Sequence, residues 1–141
     1  MRGALLALVL ALVGTGAAGC KDLRYYDVDV TFDTATFGSS GEVSTIQTCH
    51  VFVTGAENAD FYIRNAGECL GNTTGSHLGT FEYSSLAEEG NLTFTMKVYN
   101  GLVEDTPCLF GEGSVTVPVT PTTTSKSTML VKNNGTTGCR Q

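Results

Sequence analysis

This chain of 141 residues has no tryptophan, only three prolines and only two histidines. Its core is built without an indole, and any imidazole chemistry is confined to His50 and His77. Basic residues are scarce too: eight Lys and Arg against fourteen Asp and Glu, a net charge of −6. An acidic chain repels phosphate backbones, which argues against nucleic acid as a partner. No apolar run reaches the roughly 20 residues that a helix needs to span a bilayer core. No C-x-x-C pair occurs, and from Cys49 onward the cysteines are spaced 20, 39 and 31 residues apart, unlike a zinc site. There is no G-x-S-x-G, no H-E-x-x-H and no Gly-rich phosphate loop. The glycines are instead spread among turns.

What the chain does have starts at its N-terminus. Arg2 is followed by an unbroken apolar run from Ala4 to Val13, then by small residues from Gly14 to Gly19, then by Cys20. A basic start, a short apolar segment and a small-residue exit make a secretory signal peptide. The segment Ala17-Ala18-Gly19-Cys20 resembles the lipobox of bacterial lipoproteins, with Ala17 where that family usually has Leu. The resemblance implies cleavage before Cys20, a diacylglycerol on its thiol and a further acyl chain on its new N-terminus. Several acyl chains hold a protein at a membrane far more firmly than one, each buried methylene contributing about 0.8 kcal/mol. By the sorting pattern of enteric-type members, Lys21 after the cysteine implies the outer membrane.

Removing residues 1–19 leaves 122 residues, enough for one domain. Arg2 is the only charge removed, so 7 basic and 14 acidic residues leave −7. The expected organisation is a signal peptide over 1–19, a lipidated Cys and short tether over 20–24, and a folded domain over 25–141.

Cysteine parity agrees with the anchor. An exported protein with five cysteines leaves one thiol over. If Cys20 is acylated, Cys49, Cys69, Cys108 and Cys139 form an even set, suited to two disulfides in an oxidising compartment. Three connectivities are open; Cys49–Cys69 with Cys108–Cys139 closes the shorter loops.

The rest of the chain alternates with period two, the mark of half-buried strands. Tyr26, Val28, Val30 and Phe32 share a face in Tyr25 to Asp33, opposite Asp27, Asp29, Thr31 and Asp33. Thr34 to Gly41 reads as a loop. In Val43 to Gly55, Gln47, Cys49, Val51 and Val53 oppose Thr48, His50, Phe52 and Thr54. Ala59 to Asn65 and Thr80 to Ser84 read as short strands around a loop from Asn65 to Gly79. Asn91 to Asn100 is the clearest strand, with Leu92, Phe94, Met96 and Val98 inward and Thr93, Thr95, Lys97 and Tyr99 outward. Gly101 to Gly113 reads as a loop. Ser114 to Thr120 alternates again, but Pro118 has no N–H to give and confines that stretch to an edge or a bulge. Ser127 to Lys132 is the last expected strand.

About seven short strands divided by Gly-rich turns, with no amphipathic helix, predict an all-β fold. Their count and spacing resemble an antiparallel immunoglobulin-like β-sandwich, without the core Trp or the cysteine pattern of antibody domains. Asp27, Asp29 and Asp33 project from one strand face. Asp27 and Asp29 are the candidate Ca²⁺ ligands, with Glu104 and Asp105 as a second oxygen source, although a solvated face and no metal are expected. His50 sits beside Cys49 but points to the opposite face, and neither histidine is expected to be catalytic. Sequons occur at Asn72, Asn91 and Asn134. Tyr62, Tyr83 and Tyr99, with rows of exposed Thr, are candidates for a sugar- or protein-binding face. The expected function is a non-enzymatic cell-envelope lipoprotein without cofactor, with a structural or protein- or glycan-binding role. The other reading is a freely secreted β-sandwich for binding or adhesion, with or without N-glycans.

Overall fold

The computed structural model describes residues 21–37, 46–63, 77–101, 104, 106–122, 124–135 and 139. Cys20, Cys69, Asn72 and Asp105, and the side chain of His77, lie outside what is described. Seven strands, β1 (Arg24–Phe32), β2 (Thr48–Gly55), β3 (Ala59–Ile63), β4 (His77–Ser85), β5 (Asn91–Tyr99), β6 (Leu109–Pro118) and β7 (Thr124–Asn133), form one sheet. Their order is β3-β2-β5-β6-β7-β1-β4, and the sheet curls into a half-barrel. Among the described residues, no helix is long and apolar enough to cross a membrane.

The all-β expectation holds, but two parts of it are corrected. The sheet is mixed: β1 runs parallel to β7 over eight pairs, from Tyr25 with Thr124 to Phe32 with Val131. Nor do two separate sheets face each other, because β6 joins both halves. It pairs with β5 along its length and with β7 only at Gly111–Asn133, Glu112–Lys132 and Gly113–Val131. That short ladder depends on glycine. A Cβ on Gly113 would sit 2.6 Å from the Leu130 carbonyl oxygen, and one on Gly111 would sit 2.6 Å from that of Lys132. Beyond this crease the strands part, β6 staying with β5 and β7 crossing to β1.

Strand alternation places the core inside the curl. Tyr26, Val28, Val30 and Phe32 of β1, Cys49, Val51 and Val53 of β2, and Leu92, Phe94, Met96 and Val98 of β5 are all at most 2% exposed. These are the inward positions read from the sequence, Gln47 excepted, which is exposed just before β2. Pro118 is accommodated as expected. The Val119 N–H bonds the Gly90 carbonyl on the β5 side, so the backbone nitrogen of Pro118 faces the side that β7 has left.

Three local features differ from the sequence reading. Asp33 caps a one-turn helix α1 (Thr34–Phe37), its carboxylate accepting the Ala35 N–H at 3.0 Å. This turn drives Phe37 into the core, edge-on to Phe32 and Phe110 at ring-centre distances of 5.1 and 5.2 Å. The strand β4 starts at His77, three residues earlier than expected, and β6 starts at Leu109, inside the expected loop. A register shift beside Tyr99 leaves Phe110 between Leu109 and Gly111 without a partner of its own and turns it inward. Finally, the outer strands of the curl touch through side chains. Phe61 of β3 lies 5.6 Å from Phe81 and 6.1 Å from Tyr83 of β4, centre to centre.

Candidate functional site

The outer face of β2 carries a histidine with both ring nitrogens in contact with carboxylates. His50 is only 6% exposed, although strand alternation places it away from the core. Its neighbours bury it. Tyr62, its cross-strand partner on β3, stacks on the ring at 3.9 Å, and Phe52, two residues on, lies 4.0 Å away. Nε2 lies 2.9 Å from an Asp60 carboxylate oxygen and Nδ1 lies 2.9 Å from a Glu104 oxygen. Both contacts are donated bonds when the ring is an imidazolium, because carboxylates only accept.

Three parts of the chain converge here. Asp60 and Tyr62 come from β3, the other arm of the β2–β3 hairpin. Glu104 comes from the segment after β5. The base of that segment is closed by the Asn100 N–H to Cys108 carbonyl bond and by the Cys108–Cys139 disulfide, with Cα atoms 4.4 Å apart. The Asn100 side chain also accepts the Cys139 N–H at 2.7 Å. The sequence reading missed this cluster, since Asp60 and Glu104 lie 10 and 54 residues from His50. Strand registers place His50 in a lateral row, Tyr62–His50–Lys97–Glu112–Lys132, across five strands. Lys97 Nζ lies 5.4 Å from the centre of the Phe52 ring. The chemistry is that of a fastener: two contacts to carboxylates and stacked rings bind β3 and the Glu104 segment to the sheet. Replacing His50 by Phe keeps the stack and removes both bonds. The expected loss is about 1–3 kcal/mol, the range for a charge-assisted hydrogen bond in a partly exposed setting. Urea unfolding checks it; a variant as stable as the parent would show that the bonds contribute nothing.

Asp27 and Asp29 lie elsewhere, on the outer face of β1. With Thr80, Lys126, Ser127 and Thr128 they line an open groove across β4, β1 and β7. Asp29 accepts a hydrogen bond from the Thr80 hydroxyl at 3.1 Å, and Lys126 stands opposite Asp27 in the β1–β7 register. Glu104, the second oxygen source expected from the sequence, is bonded to His50 with three strands between β2 and β1 in the sheet order. Among the described residues, no three His, Cys, Asp or Glu side chains are grouped to hold a metal ion. The groove offers carboxylates, hydroxyls and one ammonium, a set suited to polyhydroxylated or peptide ligands.

The three candidate tyrosines do not share a face. Tyr62 is partly exposed over His50. Tyr83 is half-buried and donates to Glu57 at 2.7 Å; burial and that bond push its hydroxyl well above the ordinary tyrosine range. Tyr99 is 6% exposed, with burial, Glu104 and Glu112 pushing it upward. Tyr26 is buried and pushed upward by the same desolvation, and its hydroxyl has no hydrogen-bond partner among the described residues. Asn91 and Asn134 of the sequons are exposed. The exposed Thr rows are real: Thr93 bonds Thr116 across β5 and β6 at 2.8 Å, and Thr95 lies 3.5 Å from Ser114.

Of the cysteines, Cys108 and Cys139 form one of the expected disulfides. Cys49 is also disulfide-bonded, to a partner outside the described residues. No family model and no curated protein matches the chain. Among solved structures, the crystal structure of a fimbrial assembly protein from Parabacteroides distasonis is similar to it, with a TM-score of 0.48 and 16% identity. The match covers 79% of this chain and 54% of that one, so the chain spans about half of that protein's length.

Proposed function

We propose that this protein is a non-enzymatic lipoprotein of the cell envelope. In this reading acyl chains on Cys20 hold a disulfide-stapled β half-barrel at a membrane surface, the outer membrane by the Lys21 pattern. There it serves as a structural part or as a receptor for a protein or glycan. The observation that carries the reading is the state of the cysteines. All three that are described are bridged, as an oxidising compartment allows. With Cys69 as the partner of Cys49, Cys20 is the one thiol left for an acyl chain. The polar groove around Asp27 and Asp29 is the surface that suits a glycan or peptide. The short tether between Cys20 and β1 would display it close to the membrane.

Intact mass of the mature protein, extracted in detergent and measured with and without reduction, tests this. The expected species starts at Cys20, carries acyl chains and gains mass on reduction for two disulfides. Replacing Cys20 by Ala should move the protein from the membrane to the soluble fraction. An unacylated, water-soluble product, whether a glycoform or a dimer linked through Cys20, would overturn the anchor and favour a freely secreted module.

A further inference from the structure

Five large hydrophobic side chains are the exposed ones among the described residues, and three of them, Leu23, Tyr25 and Leu86, gather at one end of the molecule. Leu23 is 44% exposed, Tyr25 36% and Leu86 49%. The β1–β4 ladder ends at Arg24 with Ser85, and Leu23 and Leu86 lie one residue beyond it on either strand. Lys21 and Glu88, 3.2 Å apart, keep the two chains side by side past that point. The turn bearing Leu86 is fixed from within. Arg24 Nη1 donates to the Ala87 carbonyl, and the Ala87 N–H donates to the buried Ser85 hydroxyl at 3.0 Å. Leu86 is thus held outward by two bonds in place of packing.

The length of the tether says what covers these side chains. Cys20 is three residues from Leu23, and three residues span at most about 11 Å. We infer that Leu23, Tyr25 and Leu86 form a docking patch that rests in the lipid interface, so that the half-barrel stands with this end on the membrane. This rests on the acylation of Cys20 proposed above. The charged side chains around the patch, Lys21, Asp22, Arg24, Glu88 and Glu89, include more acidic than basic groups. The surface therefore suits zwitterionic lipid headgroups, and apolar contact supplies the attraction. Aromatic and aliphatic side chains at headgroup level are the usual form of such a contact.

The absence of tryptophan makes this directly readable. Leu86→Trp and Tyr25→Trp each introduce a single indole at the patch. Leu130→Trp introduces one at a side chain equally exposed, at 45%, but farther along the sheet. Leu130 is level with Thr31 in the β1–β7 register, six residues or about 20 Å beyond Tyr25. The acylated mature variants are reconstituted into phosphatidylcholine vesicles with brominated acyl chains, and vesicle flotation is measured alongside emission. The expected result is a blue shift and strong quenching at positions 86 and 25, with position 130 unquenched and open to an aqueous quencher. If the variants float with the vesicles while positions 86 and 25 remain unquenched, the patch is overturned and the anchor stands. Equal quenching at 86, 25 and 130 also overturns it, because the molecule would then lie along the membrane. If the tryptophan-free parent does not float, the anchor itself fails, and the patch with it.

Discussion

Replacing Cys108 by alanine is expected to lower the stability of the domain by about 3–4 kcal/mol, the value for a cross-link that closes a loop of some thirty residues. The bond spans 31 residues of sequence and joins the foot of β6 to the tail beyond β7. It is the only covalent link described between the end of the chain and the sheet. Without it, Cys139 is held by its N–H bond to the Asn100 side chain, an interaction of about 1 kcal/mol. The damage would also spread. Asn100 and Cys108 close the segment that carries Glu104 to His50, so loosening the tail loosens one side of that fastener. Thermal unfolding should fall by about 10 °C or more, and protease should cut within 101–107 before the strands. Cys49→Ala should behave likewise, because Cys49 is fully buried and bridged. If Cys108→Ala and Cys139→Ala both melted with the parent, the staple would carry no stability.

The second large effect is expected at a glycine. In Gly113→Ala the new Cβ would lie 2.6 Å from the Leu130 carbonyl oxygen and 2.9 Å from two further backbone atoms, the Leu130 carbonyl carbon and the Val131 Cα. No side-chain rotation relieves a clash with backbone, so β7 must move away from β6. Only three pairs join these strands, and a shift at the third puts the whole crease at risk. Overpacking of this kind costs about 1–3 kcal/mol and sometimes more. Gly135→Ala is the control. That glycine has φ +84° with nothing within 4 Å of the added atom, so it pays only the left-handed backbone cost of about 1–2 kcal/mol. Urea midpoints rank the two, and amide exchange at Asn134, whose N–H bonds the Phe110 carbonyl of β6, reports whether the crease has opened. Slow exchange there in Gly113→Ala would mean that the strands accommodate a methyl group after all.

These two positions also show what was legible in the sequence and what was not. Alternation marks which side of a strand is apolar, so the inward residues of β1 and β5 could be read directly. Alternation says nothing about which strand lies alongside or in which direction. The parallel partner of β1 is β7, about a hundred residues away, and a pairing so remote leaves no turn signal between the two. The mixed sheet was therefore invisible, and an antiparallel sandwich was the natural inference from strand count. The run Leu109 to Gly113 read as loop because its glycines are turn formers. In the fold they are small residues at a crossing, a role composition does not distinguish. Phe37 was lost for a related reason: one helical turn is too short to show a period, and only Asp33 as a cap marked it.

The candidate site divides the same way. Cys108–Cys139 could be chosen because short loops close more readily. The Asp27 and Asp29 face could be seen from strand geometry. The burial of His50 could not, because it comes from Tyr62, Asp60 and Glu104, which reach it through strand register and a stapled loop. An outward-facing position became the most enclosed polar group described on that face because its neighbours, rather than the core, covered it.

The parallel pairing of β1 with β7 has a mechanical consequence. The N-terminal end of β1 is where the chain arrives from Cys20, and the C-terminal end of β7 is at the opposite end of the same ladder. A pull between those two points loads the hydrogen bonds of all eight pairs in shear, together. The antiparallel β1–β4 ladder would instead peel one pair at a time if pulled at Arg24 and Ser85. A domain held at the start of β1 and pulled at the end of β7 would thus meet the force along the direction in which its terminal strands resist most, with the Cys108–Cys139 staple passing part of the load to β6.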